Sequence, residues 1–393
     1  MRLALCILFT LTICSFNTIA SQPQPSNTVD EKQNHQLELA TAILENDEDR
    51  VRVLMLDREN RNEHIPITVI RQLKINDHLE TERSKTKFFQ SSTTPLILAA
   101  SLHNDPQVIS VLLEAGANPN TTGWSSRTAL IVNATRTGSI PIARALLDHG
   151  ADANIADAGG TTPLMTACKN NQPLDYIRTL LKADADPNAL TKITLVSPLM
   201  EAAKNHSDPE VITLLVDHGA NIHAEATSGM TATGSACAWN SNTEIIHRLI
   251  SFGGDINHGN GIERTGVMFA AMYNTAEMMR FLIKNGAAID QEDDYNLTAL
   301  AFAANSNVPD VVIELINAGA KLETRDKDGC TPLLLACKNN SPQMVRTLID
   351  AGAEPRTTDY KGWSGIDYAT VYNLSENAEI IVNLMQEAMP DPP

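Results

Sequence analysis

The sequence predicts an all-α chain built from nine copies of a two-helix unit, and three observations predict it. Helix openings that start with Thr or Ser recur at Thr94, Thr128, Thr162, Ser197, Thr231, Thr265, Thr298, Thr331 and Ser364, at intervals of 33 to 35 residues. A second marker follows each of the first eight openings by about 22 residues: Gly116, Gly150, Asp184, Gly219, Gly253, Gly286, Gly319 and Gly352. Two markers that keep the same phase define a repeat. Composition agrees, since 43% hydrophobic content with only 4% aromatic residues favours many small packed units over one broad sheet core.

Each unit explains itself physically. Thr or Ser at the opening supplies an N-cap oxygen, and Pro95, Pro163, Pro198 and Pro332 stand at the first helical position, where a missing N–H costs nothing. Apolar residues follow at helical spacing, as in Leu164, Ala167 and Cys168. A second helix, for example over 176–182 or 344–350, ends at the Gly marker, where a left-handed residue terminates it. The polar stretch to the next opening holds turn formers such as Asp326, Asp328 and Gly329, which suit a projecting hairpin loop. The pentapeptide ACKNN, found at 167–171 and 336–340, falls in the same place in two units and marks a repeated fold element.

The stretches 329–336 with 345–353, and 160–167 with 177–181, carry a TPL-type helix start, a pair of small residues, a second helix ending near LL-x-x-GA and an Asp-x-x-Gly hairpin. In these features the chain resembles the ankyrin-repeat family, over about residues 92 to 389. The resemblance implies a solenoid of stacked helix pairs with β-hairpin-like fingers along one side, and a non-enzymatic protein that binds a protein partner in the groove between fingers and first helices. The chain departs from the family pattern where His commonly follows TPL. Those positions are Ile97, Ile131, Met165, Met200, Gly234, Met268, Ala301, Leu334 and Asp367. Gly234 inside a helix costs about 1 kcal/mol relative to Ala, and the openings at Thr231 and Thr265 are weak, so the softest part of the stack is expected there.

Ahead of the repeats, Arg2 followed by an apolar run and the small residues Thr18 and Ala20 reads as a signal peptide over 1–20, which places the mature protein in an exported compartment: periplasmic in a bacterium, secreted otherwise. Cys14 leaves a lipid anchor open. Residues 21–34 read as a disordered leader, 35–57 as a capping helix pair (36–45 and 48–56), 58–91 as an irregular insertion and 390–393 as a polar tail. No second apolar run approaches the length of a bilayer span.

Candidate chemistry is sparse. HExxH, GxSxG, GxGxxG, Walker and paired CxxC patterns are absent, so no catalytic, cofactor-binding or metal-binding residue is assigned. Cys168, Cys237 and Cys337 sit six residues after their openings, where other units have Ala or Thr, and are expected as small buried side chains too far apart for disulfides. Cys330, at a finger base, is left to pair with another molecule. Asn171, Asn240, Asn274, Asn307, Asn340 and Asn373, nine residues after their openings, are expected to stand in for a left-handed capping Gly. His149 and His218 fall at second-helix C-termini, where a ring donor is favourable. Six N-x-S/T sequons, at Asn120, Asn133, Asn205, Asn296, Asn339 and Asn373, matter in a eukaryotic secretory pathway, and those inside helices or at helix ends are poor acceptors.

Surfaces remain. A formal net charge of −17 argues against a protein built to neutralise nucleic-acid phosphates and steers partners with a basic patch toward it. Trp239 and Tyr273, each eight residues after an opening, are expected side by side on neighbouring first helices, with Lys169, Lys204 and Lys338 facing the same groove. Trp124, Tyr295 and Tyr360 fall in fingers, and Glu292, Asp293 and Asp294 surround Tyr295 with acid. The readings that compete with a binding scaffold are an enzyme or regulator with its site in the 58–91 insertion, and a purely structural envelope spacer.

Overall fold

The computed structural model describes residues 27–55, 93–102, 105–306, 309–339, 342–372 and 377–389. The expected signal peptide, the 58–91 insertion, the 390–393 tail and the caps Asn307, Asn340 and Asn373 lie outside the described residues. Twenty α-helices are described. A leading pair, α1 (Asn27–Glu45) and α2 (Glu48–Leu54), is tied by His35 Nε2, 3.0 Å from the Leu54 carbonyl. Helix α1 starts nine residues earlier than expected, so residues 27–34 are helix and not disordered leader. Past Pro25 this stretch has no Gly or Pro to interrupt a helix.

Nine helix pairs follow, one per opening. The first helices are α3 (Pro95–Ser101), α5 (Ala129–Arg136), α7 (Pro163–Lys169), α9 (Pro198–Asn205), α11 (Ala232–Trp239), α13 (Gly266–Tyr273), α15 (Ala299–Ser306), α17 (Pro332–Asn339) and α19 (Gly365–Tyr372). The second helices are α4 (Pro106–Glu114), α6 (Ile140–Asp148), α8 (Leu174–Lys182), α10 (Glu210–Asp217), α12 (Thr243–Ser251), α14 (Ala276–Lys284), α16 (Pro309–Asn317), α18 (Pro342–Asp350) and α20 (Asn377–Glu387). The first helices pack one on the next from α3 to α19, and the second helices do so from α4 to α12 and again from α14 to α20, while α1 and α2 cover α3 and α4. One continuous apolar core runs between the two layers from Leu39 to Met385. This is the stacking of a solenoid, in which every unit is held by its neighbours.

The local chemistry of the openings is as expected. Hydroxyls of Thr94, Thr128, Thr162 and Ser197 accept the N–H three residues on, at 3.2 to 3.3 Å. The second-helix stops hold in all eight units: Gly116 through Gly352, with Asp184 among them, have φ between 57° and 99°. Nothing would touch a Cβ at Gly150, Gly219, Gly253, Gly286, Gly319 or Gly352, so the demand there is backbone conformation and not space. That is why an Asp is tolerated at 184.

The Asn caps follow this rule once and break it twice. Asn171 is left-handed at φ 52°, but Asn240 (φ −99°) and Asn274 (φ −114°) are extended. Their amides reach the preceding unit instead: Asn240 Nδ2 donates to the carbonyls of Ala203 and His206, and Asn274 Nδ2 to those of Cys237 and Asn240. His206 Nε2 meets the Gln172 carbonyl at 2.9 Å, and Gln172 Nε2 donates to Ala134. A ladder of side chains thus satisfies first-helix ends across five consecutive units.

The fingers are hairpin-like without forming strands among the described residues. Each is closed by single backbone bonds such as Asp157 N–H to Thr161 and Asp326 N–H to Cys330, and one isolated bridge, Thr358 to Ser364, is present. The weak openings of the middle units still form helices, α11 and α13. Thr231 still caps Gly234, although the buried Thr265 hydroxyl has no partner. Gly266 is required by close approach, since a Cβ there would lie 2.8 Å from Cys237 Sγ.

Candidate protein-binding surface

The exposed faces of the first helices follow from their repeat register. Position six after an opening is buried in the first eight units and exposed at Thr370; position seven is exposed at Lys169 and Lys204 but buried at Ser101 and Ala238; position eight is buried in none. Trp239 and Tyr273 at position eight are 47% and 68% exposed, high values for large aromatic side chains. They do not stack on each other. Trp239 lies 6.2 Å from Phe269, centre to centre, and Lys204 Nζ sits 4.4 Å from the Trp239 ring centre. Lys338 Nζ is placed likewise, 5.1 Å from Tyr372 and 5.9 Å from Tyr368, and Lys169 is exposed. Tyr372, half exposed, occupies the register of Trp239 and Tyr273 and was recoverable from that register alone.

The finger edge carries the second group. Glu292, Asp294 and Tyr295 are exposed on the sixth finger, with Lys327 Nζ 5.2 Å from the Tyr295 ring centre. Asp293 is a correction to the expected acidic surface: its carboxylate has no exposure, pairs with Arg264 Nε at 2.8 Å and accepts the N–H groups of Tyr295 and Leu297. Buried this way it shapes the finger and meets no partner. Arg264 lies 4.9 Å from the Phe302 ring centre, so finger and first-helix face meet. Between these fingers a hollow of about 390 Å³ is lined by Ile262, Arg264, Tyr295, Leu297, Asp326 and Lys327. Trp124, on a short 3-10 turn (Trp124–Ser126), is half-buried with Arg127 5.2 Å from its ring centre. A larger hollow of about 530 Å³ lies on the opposite layer, between α6 and α8, away from every aromatic named here.

One exposed group was missed by sequence reasoning. The third finger is a residue longer than the others and is organised by Thr191, whose hydroxyl accepts the Val196 N–H. Leu195 has φ 51°, and Ile193 at the apex is 84% exposed. The signal was available: the 35-residue interval after Thr162, with the loss of the Asp-x-x-Gly turn.

The groups that mimic chemistry are structural. Cys168, Cys237, Cys330 and Cys337 are free and buried. Burial pushes the Cys237 and Cys337 thiols up to about 12, and raises Cys168 and Cys330 as well, so none is a nucleophile at neutral pH. Cys330 is thereby withdrawn from intermolecular pairing. Its sulfur lies 3.3 Å from the Tyr368 hydroxyl, which donates to Asp359 at 2.8 Å. Burial pushes Asp359 up, but the N–H of Trp363, the Tyr368 hydroxyl and the N–H of Lys361 more than offset it and hold the carboxyl below its usual range. The rings of His149 and His218 bond the carbonyls of Ala145 and Leu214 one turn back. Among the described residues no group of His, Cys, Asp and Glu is arranged to hold a metal ion, and no helix is long and apolar enough to cross a membrane. Of the sequons, Asn133 is fully buried and accepts the Tyr176 hydroxyl.

Family models agree with this architecture. A model of ankyrin repeats in three copies matches residues 96–191, 234–326 and 303–389, and a model of the single ankyrin repeat matches 196–226. The chain belongs to the ankyrin-repeat family. Members of this family generally mediate protein–protein interaction and are typically non-enzymatic scaffolds. No curated protein matches the chain.

Proposed function

We propose that this ankyrin-repeat chain is an exported, non-enzymatic scaffold that holds a protein partner against its first-helix groove and finger tips. The observation that carries the reading is the exposure of Trp239 and Tyr273 on adjacent first helices, α11 and α13. Large aromatics open to solvent and ringed by polar groups are the usual composition of binding hot spots. The exposed acids Glu292 and Asp294 beside Tyr295 favour a basic patch where the partner meets the fingers. Export rests on the signal-peptide pattern of residues 1–20.

The test is capture from the exported fraction with the mature chain as bait, followed by affinity measurement for the recovered partner. Trp239→Ala with Tyr273→Ala should weaken binding by about 30-fold or more, the effect of losing hot-spot side chains. Unchanged affinity removes the groove assignment.

A further inference from the structure

Charge is segregated within the molecule. The whole chain has 47 acidic residues against 30 Lys and Arg. The nine first helices reverse this balance: they carry Arg136, Lys169, Lys204 and Lys338 against only Glu201 and Asp367. Both acids are engaged locally. Glu201 accepts from Asn205 Nδ2 at 2.9 Å, and Asp367 accepts from the N–H and hydroxyl of Ser364 at 2.8 and 2.6 Å. The face that presents the aromatics is therefore a basic strip on an acidic protein.

Two of its lysines are built into the same arrangement. Lys204, seven residues after the opening of the fourth unit, lies on Trp239 of the fifth. Lys338, seven residues after the opening of the eighth, lies on Tyr372 and Tyr368 of the ninth. Trp239 and Tyr372 share one register, eight residues after their openings. In each case the ring quadrupole holds the ammonium in place without neutralising it, and among the described residues no carboxylate pairs with either lysine. A cation fixed against an exposed ring offers charge and apolar area in one place.

We propose that Lys204–Trp239 and Lys338–Tyr372 are two like sockets for carboxylate side chains, filled by one extended acidic segment of the protein partner that carries an apolar or aromatic residue beside each carboxylate. The inference rests on the groove reading above and names the chemistry that the groove selects. Helix layers about 8–10 Å apart put the sockets, four units apart, about 32–40 Å from each other. An extended chain at about 3.3 Å per residue crosses that distance in about 10–12 residues. Groove and finger edge then select opposite charges, which fixes the direction in which the partner lies.

The experiment is selection of random peptides of about 16 residues, long enough to span that distance, displayed on phage against the full chain. The enriched pool should be net acidic, with two carboxylates about 10–12 residues apart, each next to an apolar or aromatic residue. A synthetic peptide from that pool, followed by fluorescence anisotropy, should lose about tenfold in affinity with Lys204→Gln and again with Lys338→Gln, and should weaken steeply between about 0.05 and 0.5 M NaCl. A neutral or basic pool, or acidic peptides indifferent to both substitutions, overturns the sockets. If such a pool still loses binding to Trp239→Ala with Tyr273→Ala, the groove reading survives and only the charge assignment falls. Peptides indifferent to the aromatic pair, or no enrichment at all, defeat both. Unchanged melting curves for the Gln variants show that a lost affinity is not a lost fold.

Discussion

The boundary between the third and fourth units and the one between the fourth and fifth are built from nearly the same parts, yet they are fastened differently. At the first, Asn188 at the finger base donates to the Gly219 carbonyl at 2.8 Å and accepts the Asn221 N–H at 2.7 Å. Asn120 and Asn154 make the same double bridge in the two preceding units, and Asn257 in a later one. At the second boundary the position is His223, and no such bridge reaches the Gly253 carbonyl or the Asp255 N–H among the described residues. Asp290 and Glu323 take the position further along, and a carboxylate can only accept, so each makes half the bridge. The opposite side of the fourth-to-fifth boundary is closely tied: Asn240 makes two buried bonds, Asn242 Nδ2 bonds Ser207, and Arg248 pairs with Glu210 at 2.7 Å. This boundary is held at the helix ends and lacks the Asn bridge at the finger base, although Gly261 N–H still bonds the Ser228 carbonyl at the finger tips. It lies directly beside the Lys204–Trp239 pair.

The comparison can be broken or sharpened by substitution. The largest effect is expected for Asn240→Leu, which removes the helix-end tie and leaves two buried carbonyls without donors. A loss of about 2–3 kcal/mol follows, read as a lower denaturation midpoint, with α11 and α12 exchanging amide hydrogens first. A smaller and reciprocal pair tests the finger side. Asn188→Ala should cost about 1 kcal/mol, while His223→Asn, by building the missing bridge, should stabilise by a similar amount and slow exchange of the Asp255 N–H. If His223→Asn leaves that amide unprotected, the absence of the bridge has a cause other than side-chain identity. The smallest effect belongs to Asp184→Gly, which relieves a non-Gly residue at φ 57°. It should be neutral or raise stability by a few tenths to about 1 kcal/mol, and a lowered melting temperature would contradict the register.

The soft middle expected from Gly234 and the weak openings falls where second-helix packing is thinnest among the described residues, between α12 and α14. Gly234 is accommodated in a capped helix, and Gly266 is compensated by contact with Cys237. The finger side differs at one base, where a single His stands in a series of Asn. That series, at 120, 154, 188 and 257, was visible in the chain, but its meaning depends on which carbonyl each side chain faces in the next unit. The surface shows the same division. Register placed Trp239 and Tyr273 outward correctly. It grouped Asp293 with its exposed neighbours because adjacency in sequence does not say which of three acids turns inward toward Arg264.

The sequence by itself determined the unit: where each helix starts, where it stops, and which positions are small and buried. Those are short-range demands of capping, backbone conformation and helical period, satisfied within one repeat whatever surrounds it. Only the tertiary structure decided what passes between units: the extended Asn240 and Asn274, the Cys330–Tyr368–Asp359 contacts, and the lysines laid on the aromatics of the next repeat. These partners are about 10 to 40 residues apart in the chain. They meet because the stack sets one unit against the next, so side-chain identity supplies the donors and acceptors but neighbouring layers supply the geometry.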